Sequence, residues 1–102
     1  MDIELIKQVC DDGSIVWTAH ILERMQERNT EPSDVIQCIK YGKIIEQYPQ
    51  AYPYPACLIL GRKINQTIIH VVVGFGDDCL WIITVYEPNE DEWHNGFAER
   101  KD

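Results

Sequence analysis

Residues 56–86 carry three strand-length apolar runs packed so closely along the chain that few arrangements suit them. Ala56–Arg62, Thr67–Val73 and Leu80–Tyr86 are rich in β-branched and aromatic side chains, the types that fit a pleated surface. The links between them, Lys63–Gln66 and Gly74–Asp78, are too short for the crossover of about a dozen residues that parallel pairing demands. The runs therefore predict an antiparallel meander. A fourth strand is expected at Ile44–Tyr48. It joins the meander through Tyr48–Pro55, where Pro49, Pro53 and Pro55 exclude helix and central strand.

The front of the chain reads as helix. Ile3, Leu5, Ile6, Val9 and Cys10 mark a short helix over residues 2–11, stopped by Asp12-Gly13. Ile15–Thr18 reads as a short extended entry. Thr18 suits the N-cap of a second helix to about Arg28, with Ile21, Leu22 and Met25 on its core side. Asn29 suits a left-handed stop. Thr30 is the expected cap of a third helix, with Pro32 in its first turn, Val35, Ile36 and Ile39 as its buried stripe, and Gly42 as its end. Gly74–Asp78 is expected as a turn, and residues 89–102 as a polar tail.

The expected fold is thus α+β: two or three N-terminal helices packed on a four-stranded antiparallel sheet. With 102 residues, 45% hydrophobic and 25% charged, the chain has the size and balance of one globular domain. Its expected parts are an N-terminal helix at 1–12, a core at 15–88 and an acidic tail at 89–102. No apolar run nears the ~20 residues of a membrane span, and the Met-Asp-Ile-Glu start lacks the basic head of a signal peptide. A cytoplasmic location is expected. Cys10, Cys38, Cys57 and Cys79 show no metal-ligand spacing and read as buried reduced thiols. No metal or cofactor is expected.

Net charge is −8, which argues against nonspecific coating of nucleic acid, a task that needs local positive charge. The acid is uneven, however. Residues 87–102 hold six acids against Arg100 and Lys101, whereas residues 18–43 hold four acids, four bases and His20. A local basic site is compatible with that distribution.

Two groups of residues carry chemistry. On a helix His20, Arg24 and Arg28 stand at i, i+4 and i+8 and form one polar stripe. An imidazole near neutral pKa beside two guanidinium forks can move a proton and hold a phosphodiester. The same stripe can equally be a solvated face, with Glu23 and Glu27 in weak surface ion pairs. In the third run, His70 alternates onto one face with Ile68 and Val72, and Thr84 and Tyr86 share a face of the next strand. A hairpin centred near Asp77 would bring His70 close to Thr84. A hydrogen-bonded core histidine is the alternative. Tyr52 and Tyr54 offer rings to a nucleobase or simply pin the proline loop. Trp93 either docks back on the domain or faces a partner.

The order His20-x-x-x-Arg24-Met25-x-x-Arg28-Asn29, Ser33-x-Val35, Gly42-Lys43-Ile44-Ile45, Tyr48-Pro, Tyr54-Pro-Ala-Cys-Leu, His70-Val-Val and Thr84-Val-Tyr-Glu-Pro88, then Trp93, resembles the bacterial domain-of-unknown-function 4258 family over residues 15–95. That family looks related to RelE/BrnT-like toxins. The resemblance implies a RelE-like fold and a metal-independent endoribonuclease of a type II toxin–antitoxin pair. It implies RNA or the ribosome as substrate, and a cognate antitoxin, such as a YgiT-type zinc-finger protein, as partner. Carried over, His20, Arg24, Arg28, His70, Thr84 and Tyr86 would be catalytic, with Lys43 and Tyr54 binding substrate. A non-enzymatic interaction module on the same fold is the alternative, and the acidic bias motivates it.

Overall fold

A computed structural model describes residues 1–101. Three helices come first: α1 (Ile3–Asp11), α2 (Ala19–Glu27) and α3 (Pro32–Tyr41). A two-residue strand, β1 (Ile15–Val16), lies between α1 and α2. Then follow β2 (Lys43–Tyr48), β3 (Ala56–Arg62), β4 (Ile68–Gly76) and β5 (Cys79–Tyr86), and a small hairpin of β6 (Trp93–His94) and β7 (Glu99–Arg100). Among the described residues no helix is long and apolar enough to cross a membrane.

The main sheet runs β1-β5-β4-β3-β2. Strands β2 to β5 form the expected antiparallel meander. The expectation of four antiparallel strands needs one correction: β1 pairs in parallel with β5, Ile15 opposite Leu80 and Val16 opposite Trp81, so the sheet has five strands and is mixed. The cause is the edge of β5, whose backbone groups need partners. Leu80 N–H donates to the Ser14 carbonyl at 2.8 Å. Ile15–Thr18 is expected as an extended entry, but two residues are too few to show by alternation that they pair with a sheet.

Two further corrections follow local chemistry. β4 and β5 run on through the stretch expected as a turn. Only Asp77 and Asp78 turn the chain, with φ of 53° and 59°, the doubly left-handed pair that a two-residue hairpin requires. The cap of α3 is Glu31, not Thr30: Glu31 and Asp34 cap each other's backbone in a capping box. Thr30 is instead buried, its hydroxyl donating to the Arg28 carbonyl at 3.2 Å. Thr18 does cap α2, accepting from Ile21 N–H at 3.1 Å, and Asn29 takes the left-handed stop with φ 53°.

The helices cover one face of the sheet. Ile6, Ile21, Met25, Val35 and Ile39 meet Ile59, Ile69, Val71, Val73, Leu80 and Val85 in one core. The four cysteines are free thiols, three of them buried as expected and Cys79 only partly so, and burial pushes Cys38 up to about 12 and Cys57 to about 11. α3 crosses β3 where Gly61 has no side chain. A Cβ there would stand 2.6 Å from Cys38 Sγ and 2.8 Å from its carbonyl oxygen. The obstructing carbonyl is backbone, so relief requires the helix to shift. Gly61→Ala is expected to lower stability by about 2 kcal/mol, the cost of overpacking, read from the urea midpoint. An unchanged midpoint would show that α3 slides freely.

The segment expected as a polar tail folds back. Its hairpin lies on the sheet face opposite the helices, with Trp93 only 3% exposed.

Candidate functional site

Strand alternation decides what this second face displays. Ile69 and Val71 point into the helical core, so His70 between them points the other way. Ladder pairing then aligns Lys43, Leu60, His70 and Tyr86 in one row across four strands. The neighbouring row is Glu46, Leu58, Val72 and Thr84, and beyond it stand Tyr48 and Ala56. A bulge between Ile44 and Glu46 sets Lys43 and Glu46 on the same face despite their odd spacing.

His70 is fully buried and both ring nitrogens are engaged. Nε2 lies 2.8 Å from the Phe97 carbonyl oxygen, and Nδ1 lies 3.1 Å from the Tyr86 hydroxyl. A carbonyl only accepts, so Nε2 carries the hydrogen. Burial, the leading influence, holds the imidazole below its usual pKa, although the Phe97 bond and Glu46 act against it. In the neutral ring Nδ1 therefore accepts from the Tyr86 O–H. Trp93 closes the top, its ring edge-on to His70 at 4.4 Å and 85°.

Beside this pair lies a charged one. Arg100 Nη2 donates to Glu46 Oε1 at 2.9 Å, and its Nε to Oε2 at 3.3 Å. The Tyr48 hydroxyl donates to the same carboxylate. The guanidinium also lies over the Trp93 ring, 4.6 Å from its centre. The Arg100 bond is the main reason the Glu46 carboxyl sits below its ordinary range. Burial first, then Glu46, pushes the Tyr48 phenol up to about 12.

That depression has a pH consequence. Glu46 titrates near 4.3 in an unfolded chain and lower in the fold, so its stabilising share is full above that value. It is lost as pH falls through it toward the folded pKa. Arg100→Ala is expected to raise the Glu46 pKa in a carbon-detected NMR titration and to flatten the loss of stability below about pH 4.3. A Glu46 titration that ignores the substitution would refute the pairing.

The sheet separates the two groups of residues singled out in the sequence. α2 packs its Ile21 and Met25 into the helical core, whereas Leu22, expected beside them, is exposed. Its His20 is exposed on the helix side, and Arg24 spends itself on Glu27 at 3.6 Å, both half-exposed. Arg28 reaches farther and donates to the Val85 carbonyl, next to Tyr86. His70 and Tyr86 do come together, and Thr84 stands one row away opposite Val72. Lys43 is exposed at the end of the His70 row. Tyr54 pins the proline loop: its hydroxyl donates to Asp77 at 2.6 Å and its ring lies 5.5 Å from Trp81. That ring fills the space where a side chain at Gly76 would stand.

Glu46, Tyr48 and Arg100 were not singled out in the sequence. Glu46 and Tyr48 alternate along β2 and were open to that reading, whereas Arg100 reaches the site only through the fold-back of the hairpin. A buried lysine was also hidden: Lys63, 4% exposed, donates to the Asn29 carbonyl at 3.0 Å and lies 3.7 Å from Glu87. It ties the α2–α3 junction to the sheet. Among the described residues no group of three His, Cys, Asp or Glu side chains gathers as a metal site.

In chemical terms the second face holds a neutral imidazole, two phenols, a carboxylate and a guanidinium within neighbouring rows. Such a set can relay a proton and hold an anion. No curated protein and no solved structure matches the chain. The family model described as a domain of unknown function, DUF4258, matches residues 17–87. That span contains Glu46, Tyr48, His70 and Tyr86 and stops short of Trp93 and Arg100. The chain belongs to the DUF4258 family.

Proposed function

We propose that the chain is a toxin-like, metal-independent endoribonuclease of a type II toxin–antitoxin pair, distantly related to the RelE and BrnT toxins. Its substrate is RNA, free or on the ribosome, and its partner is a cognate antitoxin, for which a YgiT-type zinc-finger protein is the natural form. The observation that carries this reading is the Tyr86–His70 pair beside the Arg100 guanidinium on one sheet face. Proton relay and phosphate charge are the two demands of RNA cleavage by its own 2′-hydroxyl.

The chemistry balances on these groups. The 2′-oxygen bonds to phosphorus and the bond from phosphorus to the 5′-oxygen breaks. The Tyr86 oxygen takes the 2′-hydroxyl proton while its own proton passes to His70 Nδ1. The imidazolium then gives its Nε2 proton to the departing 5′-oxygen. Arg100 faces the charge that grows on the phosphorane, and Glu46 steadies both the guanidinium and the transient imidazolium. Access requires the 95–97 turn to lift from Nε2. Asn95, Gly96 and Phe97 all carry positive φ, of 52°, 69° and 69°. An aromatic residue in that region stores strain of about 1 kcal/mol or more, which favours release.

One observation favours a second reading, an interaction module without catalysis: His70 is wholly enclosed and both its nitrogens are bonded. The test is incubation of the purified chain with RNA in EDTA, alone and with translating ribosomes. Fragments ending in 2′,3′-cyclic phosphate and 5′-hydroxyl are expected. RNA left intact in both arms would overturn the proposal and leave the module.

A further inference from the structure

The His70 row ends in a cavity of about 340 Å³ lined by Tyr41, Lys43, Leu60, Arg62, Ile68 and Gly96, among others. Lys43 pairs with Leu60, and Leu60 with His70, so Lys43 stands two strand spacings from the imidazole, about 10 Å. Arg62 pairs with Ile68 in the adjoining row of the same face. The hairpin reaches the cavity only as Gly96, which adds no side chain, and the adjoining Phe97 carbonyl covers His70.

The charge here runs against the rest of the chain. In a protein of net charge −8, Arg24, Lys40, Lys63 and Arg100 are each paired with a carboxylate, Arg28 and Lys101 reach only carbonyls, and Lys43 and Arg62 line one cavity together. Among the described residues neither Lys43 nor Arg62 has an acidic partner within ion-pair distance. Arg62 gives one N–H to the Gln66 carbonyl at 2.9 Å and keeps its remaining donors. Tyr41, 74% exposed, offers an aromatic ring at the rim. Two unopposed cations beside a free ring form a combination that suits a phosphate and the base attached to it.

We infer that this cavity binds a phosphate and neighbouring base of single-stranded RNA, flanking the nucleotide whose phosphodiester reaches His70. The inference rests on the endoribonuclease reading, and its test separates the two. The probe is a fluorescent 2′-O-methyl oligonucleotide of about eight nucleotides, within the range one small domain covers. It lacks the attacking hydroxyl and reports binding alone, by anisotropy.

Lys43→Ala and Arg62→Ala are each expected to weaken binding about tenfold, the scale of a lost charged hydrogen bond. Each should also flatten the logarithmic salt dependence by about 0.7. Tyr41→Ala should weaken binding without changing that slope. All three side chains are exposed, so the fold survives their loss, which unchanged melting temperatures will verify. A wild type that does not bind, or a Lys43→Ala/Arg62→Ala double variant that binds as wild type, overturns the inference. So does displacement of the probe by polyglutamate at equal concentration, which would mark the cavity as a site for acidic protein. If unmodified RNA is cut by wild type and double variant alike, this site falls and the catalytic reading stands. If the probe binds through Lys43 and Arg62 but RNA is never cut, the site stands and the catalytic reading falls.

Discussion

His70→Ala is expected to lower RNA cleavage by about 10²–10⁴-fold, the usual worth of a positioned acid–base group. The imidazole joins both ends of the relay, taking a proton from Tyr86 at Nδ1 and giving one from Nε2. Tyr86→Phe removes only the hydroxyl and should cost a comparable factor while leaving the packing intact. Because His70 is buried, its removal also leaves a cavity, so activity must be compared at temperatures where both variants remain folded. His70→Asn provides a control: it keeps polar contacts near the Phe97 carbonyl and cannot relay. Cleavage by His70→Ala at the wild-type rate, with Tyr86→Phe likewise unaffected, would remove this pair from the mechanism. His20→Ala is expected to cut as wild type does, because the sheet stands between α2 and the second face.

The second large effect concerns the hairpin. Trp93 supplies most of what holds residues 93–100 against the sheet, through its buried ring, its edge contact with His70 and its stacking under Arg100. A two-stranded hairpin alone is marginal in water. Truncating a buried tryptophan costs about 3–5 kcal/mol. Here the cost falls on the docking of the hairpin rather than on the helical core. Trp93→Ala should therefore open residues 93–100 while the meander stays folded. Amide exchange at the β6–β7 ladder should quicken by more than about a hundredfold, with little change in β3 and β4. The His70 pKa should rise toward its ordinary value as water replaces the indole. Unchanged exchange in β6 and β7 would mean that the Glu46–Arg100 pair holds the hairpin by itself.

Much of the sheet and little of the site could be read from the residues. The period-two runs of 56–86 announce the meander because their alternation survives burial on one face. The stripes at Ile21/Met25 and Val35/Ile39 announce the helices for the same reason at a different period. The polar stripe of His20, Arg24 and Arg28 is legible as a stripe, but the resemblance makes it catalytic together with His70, which requires the two to meet. His20 and Arg24 lie away from the core side of α2 and so turn away from the sheet which that side covers, while Arg28 reaches only the Val85 carbonyl, and that geometry parts the two groups. His70 faces Tyr86, two residues beyond the expected Thr84, because the turn centres between Asp77 and Asp78 and a bulge between Val72 and Val73 shifts β5 by one more. The bulge before Glu46 obscures only the face that it shares with Lys43. Residues 89–101 carried the strongest misdirection. Their acids announce a solvated tail, and only Trp93 and Phe97 hint at docking. No local pattern could report that Arg100 returns to Glu46.

The parallel contact of Ile15 and Val16 with Leu80 and Trp81 fastens one end of the domain to nearly the other. A chain leaving the ribosome cannot complete its sheet until β5 has cleared the exit tunnel. Until then α2, with Ile21 and Met25, lacks the strand it packs against, and the meander lacks its last long strand. The domain should consequently acquire its complete fold only once residue 86 is free, in a step that joins its front to its back.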